Sequence, residues 1–130
     1  VVPTIDPTRL CQLELKVANI EASLAFYRQT FGWLPSPCEI YRYHVLQVPE
    51  SCPFGIALVH DPARTYSLSG ACLTFQIASK TEGVDTIANA AAMGGRILRE
   101  AAFQPGYGWV WELADLDGQR FGLFLSHNKY

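Results

Sequence analysis

The chain lacks the short motifs that most directly announce a chemistry. It has no Gly-rich phosphate loop, no Gly-x-Ser-x-Gly elbow and no His-Glu-x-x-His pair. A phosphate cradle, a serine-hydrolase nucleophile and a helical zinc site therefore have no foothold in it. Its 10 basic and 12 acidic residues are dispersed and give a formal net charge of -2. A nucleic-acid surface would need Lys and Arg gathered in one place, so no nucleic-acid partner is expected. No apolar run approaches the roughly 20 residues that cross a bilayer. The first residues lack the basic and apolar regions of a secretory signal. No membrane partner is expected, and the expected location is the cytoplasm. Cys11, Cys38, Cys52 and Cys72 are scattered, with no Cys-x-x-Cys. Four cysteines permit two disulfides, but a domain of this size does not need them, and free thiols in a reducing compartment are the expectation.

What is present is apolar and patterned. Of the 130 residues, 49% are hydrophobic, enough for one domain with a real core. Residues 1–9 hold two of the prolines and no periodicity, and read as an N-terminal arm. From Leu10 to Val17 the residues alternate. Leu13, Leu15 and Val17 take one face, and Gln12, Glu14 and Lys16 the other, as in a half-buried strand. Asn19 is a good helix N-cap. Ile20, Leu24, Tyr27 and Phe31 then recur at helical spacing, and Gly32 is placed to end that helix. Glu39 to Val48 reads as strand interrupted near Arg42, and Phe54 to His60 as a further strand. Residues 61–69 read as a polar loop.

The second half repeats this plan more faintly. Cys72 to Ile77 alternates like the first strand. Thr81 is the expected cap of a helix whose apolar stripe is Val84, Ile87, Ala88 and Ala91. Gly94-Gly95 stops it. A short strand over 96–99, a loop over 101–106, a strand over 107–114 and a strand over 119–126 follow. The last two are joined by a tight turn at Asp115-Leu-Asp-Gly118. A strand–helix–strands plan stated twice predicts two copies of one supersecondary unit. In both leading strands one face is apolar and the other polar. The polar face either meets water or, if the units curl into a cup, lines a cleft; the repeat favours the cup.

Phe26-Tyr27, then Phe31-Gly32-Trp33, Gly94-Gly95 and Asp115-x-Asp117-Gly118 resemble the glyoxalase, bleomycin-resistance and extradiol-dioxygenase group. This is the vicinal-oxygen-chelate superfamily. The resemblance covers about residues 10–126. It implies an α+β fold of two βαβββ modules, about 10–62 and 70–126, followed by a tail at 127–130. The modules would form a U-shaped, mostly antiparallel sheet around a central cleft. It also implies a homodimer. Metal-dependent members hold a divalent ion with His, Gln or Glu from four strands. Carried over by spacing, those positions fall on Gln12, Ala57, Cys72 and Gly122. Ala and Gly have no side-chain donor, and an amide with a thiol does not make a hard-cation site. No metal and no cofactor are therefore expected.

Other candidates come from strand phase. Glu14 and Glu112 would share the cleft, where two carboxylates suit general acid–base chemistry. Arg120 shares that face and can pair with either or with an anion. Thr74, Val110 and Phe124 lie on the same face by alternation. Tyr41, Tyr43 and Trp109 supply rings on or near strands, although alternation assigns Trp111 and its phase-mates to the helix side. His44, His60 and His127 match no ligand position and are expected to be structural or exposed. The sequence thus favours metal-independent binding of a small, largely apolar or aromatic molecule. The alternative is a lyase, isomerase or dioxygenase-like enzyme with a displaced metal or acid–base carboxylates.

Overall fold

The structure is a computed structural model that describes residues 2–40 and 42–130, and the side chains of all of these except 38–40. Tyr41, one of the candidate ligand residues, lies outside the described residues. The first unit contains β1 (Gln12–Val17), α1 (Ile20–Phe31), β2 (Pro35–Ile40), β3 (Tyr43–Leu46) and β4 (Gly55–His60). The second contains β5 (Cys72–Gln76), α2 (Lys80–Ala92), β6 (Arg96–Gln104), β7 (Gly108–Ala114) and β8 (Arg120–Ser126). Each unit is a βαβββ module with a four-stranded mixed sheet, ordered β1-β4-β3-β2 in one and β5-β8-β7-β6 in the other. The α+β fold class read from the sequence is the one observed.

Local chemistry explains most of the boundaries. The Asn19 side chain accepts the Ala22 N–H at 3.1 Å, which satisfies an otherwise unpaired donor at the start of α1. Gly32 ends α1 in the left-handed conformation, φ +71°, where a Cβ would be strained. The N-terminal arm is not featureless: Asp6 caps a single 3-10 turn over Pro7–Arg9.

Four expectations need correction. The strand expected over 39–48 breaks near Arg42 as expected, but it starts early, at Pro35, and ends early, at Leu46. Pro35 and Pro37 are tolerated because β2 is a sheet edge, where a missing N–H costs no ladder bond. Ser79, not Thr81, caps α2, accepting the Glu82 N–H at 3.2 Å. The buried stripe of α2 is Gly83, Ile87 and Ala90, while Val84 is 43% exposed. The helix docks through Gly83, where a Cβ would come within 2.8 Å of the Trp111 indole. Finally, the loop expected over 101–106 belongs largely to β6, which runs on to Gln104 through two register shifts and Ala101 at φ +39°. Bulges of this kind twist an edge strand without ending it.

The two units share one core. Leu15, Val17, Leu46, Ile56 and Leu58 from the first sheet join Trp111, Leu113, Phe121, Leu123 and Leu125 from the second, together with Phe26 and Tyr27 of α1 and Ile87 and Ala90 of α2. The helix of the first unit reaches the sheet of the second. Its Phe31 and Tyr27 rings lie 5.1 and 5.8 Å from Phe121. Phe26 sits over Gly95, where a Cβ would be only 2.7 Å from the ring.

Candidate functional site

Strand register divides each sheet into a helix-covered face and an open face, because residues side by side in a ladder project the same way. On the first sheet Gln12 lies beside Gly55 and Glu14 beside Ala57. Tyr43 and Val45 continue that face through their pairing with Val59 and Ala57. Gln12 and Glu14 are exposed and Tyr43 is half-buried. Ala57 is 1% exposed beneath its neighbours.

On the second sheet Cys72 lies beside Arg120 and Thr74 beside Gly122. Glu112 stands opposite Gly122 and Val110 opposite Phe124. The side chains of Cys72, Thr74, Glu112 and Arg120 surround Gly122. Arg120 Nε donates to Glu112 Oε1 at 2.6 Å, and Nη2 forms an ion pair with the same oxygen. Hydrogen bonding to Glu112 holds the Arg120 guanidinium above its ordinary pKa, so it remains a cation. Cys72 Sγ lies 3.8 Å from Thr74 Oγ1. A Cβ at Gly122 would be 2.7 Å from Thr74 Oγ1 and 3.4 Å from Cys72 Sγ, so glycine makes room for those side chains. At the other end of the face the Tyr107 ring packs at 4.6 Å against Phe124, the two planes tilted by 57°. The result is a surface with a charged pair and two small polar groups at one end, and Val110, Phe124 and Tyr107 at the other.

The candidates thus form two groups, one on each open face. Trp109 is in neither. It projects to the opposite side from Val110, 5.1 Å from Phe103 and stacked at 3.9 Å on Tyr130. Trp111 is buried against α2, as alternation predicts. Tyr107 joins the open face although it is not among the candidates; an exposed ring one residue before β7 is the weak signal for it. A cavity of about 330 Å³ adjoins the second group through Thr74. Its other walls are Leu10, Leu13, Phe54, Leu73 and Phe75, from the leading strands of both units and the approach to β4.

The metal positions carried over from the resemblance do not fit a metal. Gln12 and Cys72 supply one amide oxygen and one thiol, Ala57 has no donor, and the space a larger residue would need at Gly122 is taken by Thr74. Among the described residues no three His, Cys, Asp or Glu side chains gather as a metal site. Cys11, Cys52 and Cys72 are free thiols. Among the described residues no helix is long and apolar enough to cross a membrane.

A second acid cluster lies on the covered side and was not anticipated as a unit. The Tyr27 hydroxyl donates a short hydrogen bond to Asp115 Oδ2. Asp115 Oδ1 accepts the N–H groups of Asp117 and Gln119 at 2.9 and 2.8 Å. Asp117 Oδ1 accepts the Ala18 N–H at 3.1 Å, tying the start of α1 to the β7–β8 turn. Burial, then the Asp115 charge, pushes the Tyr27 hydroxyl well above its ordinary pKa. Burial raises Asp117 too, although the Ala18 hydrogen bond opposes it.

No protein-family model and no curated protein sequence matches the chain. Solved structures do. A glyoxalase-related enzyme from Fulvimarina pelagi superposes with a TM-score of 0.75 at 24% identity, covering 90% of this chain and 87% of that one. A glyoxalase/bleomycin resistance protein/dioxygenase family enzyme from Burkholderia phytofirmans gives 0.73 at 16%, covering 88% and 96%. The fosfomycin resistance protein FosX from Listeria monocytogenes gives 0.72 at 17%, covering 90% of each. The chain therefore has the vicinal-oxygen-chelate fold of the glyoxalase, bleomycin-resistance and dioxygenase proteins.

Proposed function

We propose that this vicinal-oxygen-chelate fold is used here to bind a small, largely apolar or aromatic organic molecule, without a metal. The observation that carries the reading is the surface around Gly122. An apolar body fits over Val110, Phe124 and Tyr107, and a polar head fits beside the Arg120–Glu112 pair, Cys72 and Thr74. Because Arg120 is already neutralised by Glu112, the head is better a neutral hydrogen-bonding group than a free anion. Gln12, Glu14 and Tyr43 offer a matching polar and aromatic face on the other sheet. Solved structures with this fold include both enzymes and a resistance protein, and fold alone does not choose between such roles.

Much of the open face is exposed in a single chain, Gln12, Glu14, Cys72, Thr74 and Gln76 among it. The proposal includes a homodimer in which a second copy covers this face, and sedimentation analysis checks it. The free thiols support a reducing, cytoplasmic setting.

The test is a panel of aromatic compounds followed by calorimetry and thermal melting, with and without a strong chelator. Saturable binding that survives chelation and weakens about tenfold in Phe124→Ala is expected. Stoichiometric zinc, nickel, iron or manganese in freshly purified protein would overturn the metal-free reading. The alternative, acid–base catalysis by Glu14 and Glu112, is less favoured at Glu112, whose carboxylate is already engaged by Arg120. It requires turnover of a bound compound that Glu112→Gln abolishes.

A further inference from the structure

We propose a second binding site, for a small organic cation, in the cavity between α1 and α2 on the covered side of the second sheet. The ligand class is an ammonium carried on an apolar or aryl body. This goes beyond the open-face reading, since the cavity opens between the helices on the covered side of β5 and β8 and, apart from Gln76 at the end of β5, shares no residue with the open face.

The cavity has a volume of about 320 Å³, at the small end of the roughly 300–1,000 Å³ typical of small-molecule sites. Its apolar walls are Phe31, Trp33, Phe75, Ile77 and Leu123. Phe31 and Trp33 stack at 4.7 Å, and Phe75 meets Trp33 edge-on at 5.8 Å. Rings packed on one another thus line one side of this space, and an aromatic ring face attracts a cation.

The polar lining is Thr30, Gln76, Glu82 and Thr86. Among the described residues Glu82 supplies the formal charge on the wall, and no Lys, Arg or His lines the cavity. Its carboxylate makes no ion pair among the described residues. Its own backbone N–H is already satisfied by Ser79, and its carbonyl accepts the Thr86 hydroxyl at 2.7 Å. Thr30 is 5% exposed, and its Oγ1 has no hydrogen-bond partner. A helical threonine ordinarily shares its hydroxyl with a carbonyl one turn back, so this oxygen is unspent. Aromatic faces, an unpaired carboxylate and side-chain oxygens with no opposing cation select for a positive guest that donates hydrogen bonds. An anion would meet Glu82 with nothing to neutralise it.

The walls come from both units: α1 and its exit from the first, β5, α2 and β8 from the second. Occupancy would therefore brace the two halves against each other and raise the melting temperature. The experiment is isothermal titration with phenethylammonium, with phenethyl alcohol and phenylacetate as the neutral and anionic counterparts, alongside thermal melts. The cation is expected to bind saturably and raise the melting temperature, and phenylacetate to do neither. Glu82→Gln, on an exposed helical turn, should weaken the cation about tenfold while leaving the unliganded melt unchanged. Trp33→Phe should weaken it by less. Phe124→Ala, which disrupts the open face, should leave this titration unchanged. Equal binding of all three compounds, or full affinity in Glu82→Gln, would overturn the proposal. Loss of the cation in Phe124→Ala would place the probe on the open face and overturn it also, while leaving the open-face reading intact.

Discussion

Glu112 and Asp115 are three residues apart on one strand and its turn, yet they serve opposite sides of the sheet. Asp115 faces α1 and is held by a tyrosine hydroxyl and two backbone N–H groups. Glu112 faces outward and is held by one arginine side chain that is itself part-exposed. A carboxylate bound to backbone donors fixes the course of the chain, and it has nothing left to offer a ligand. A carboxylate bound to a mobile side chain fixes little of the chain, and its partner is free to rearrange when a ligand arrives. The two sites separate holding the fold from meeting a guest.

Substitutions sharpen or break that division. Asp115→Ala should have the largest effect, because it strands three donors in a buried site; a loss of about 3–5 kcal/mol in urea unfolding is expected. A loss below about 1 kcal/mol would mean that the cluster does not anchor the turn. Tyr27→Phe removes one of those donors and keeps the ring, so about 1–3 kcal/mol is expected. Glu112 is 9% exposed, but glutamine keeps an acceptor for the part-exposed Arg120 and leaves no buried charge, so Glu112→Gln should cost about 1 kcal/mol, less than Tyr27→Phe, while lowering affinity for open-face ligands. A stability loss matching that of Tyr27→Phe would erase the distinction between the two acids.

The smallest effect is expected in the pH dependence of Asp117. Its folded pKa is raised, so the folded protein prefers it protonated. The stability it contributes is present below its unfolded pKa, and is lost as pH rises through that value and on through the raised folded one. Asp117→Asn keeps an oxygen for the Ala18 N–H and removes the titration. Comparing urea midpoints from pH 3 to 7 should show the wild type losing ground to the variant as pH rises.

Much of this layout was legible because it is local. Asn19, the α1 stripe and Gly32 lie within one strand–helix passage, where capping and periodicity act over a few residues. Alternation along β7 also placed Glu112 and Val110 on one face and Trp111 on the other. The same alternation put Trp109 with Trp111, so the interest of its ring as a ligand platform gave way to its strand phase. What the sequence hid was decided at a distance. Ser79 and Thr81 are both competent caps, and the choice follows from docking Gly83 on Trp111, a contact across the sheet. Pro35 and Pro37 argue against a strand unless it is known to be an edge. Arg120 was expected to pair with Glu14 or Glu112, and hairpin register decides for Glu112; the Tyr27–Asp115 bond joins residues far apart in the chain.

The segment joining the two units has a consequence for anyone who wishes to divide the molecule. Between the units the chain crosses the β7–β8 turn. The Ser67 and Ser69 N–H groups donate to the carbonyls of Asp117 and Gly118 at 3.1 and 2.8 Å, and Arg64 reaches the Asp117 carbonyl at 3.1 Å. The junction that symmetry suggests for a split reporter or a circular permutant is thus latched to the far half. The exposed tip at Pro105-Gly106, between β6 and β7, is closed by the local bond from the Tyr107 N–H to the Gln104 carbonyl, with no such latch among the described residues, and is the better place to open the chain or insert a reporter.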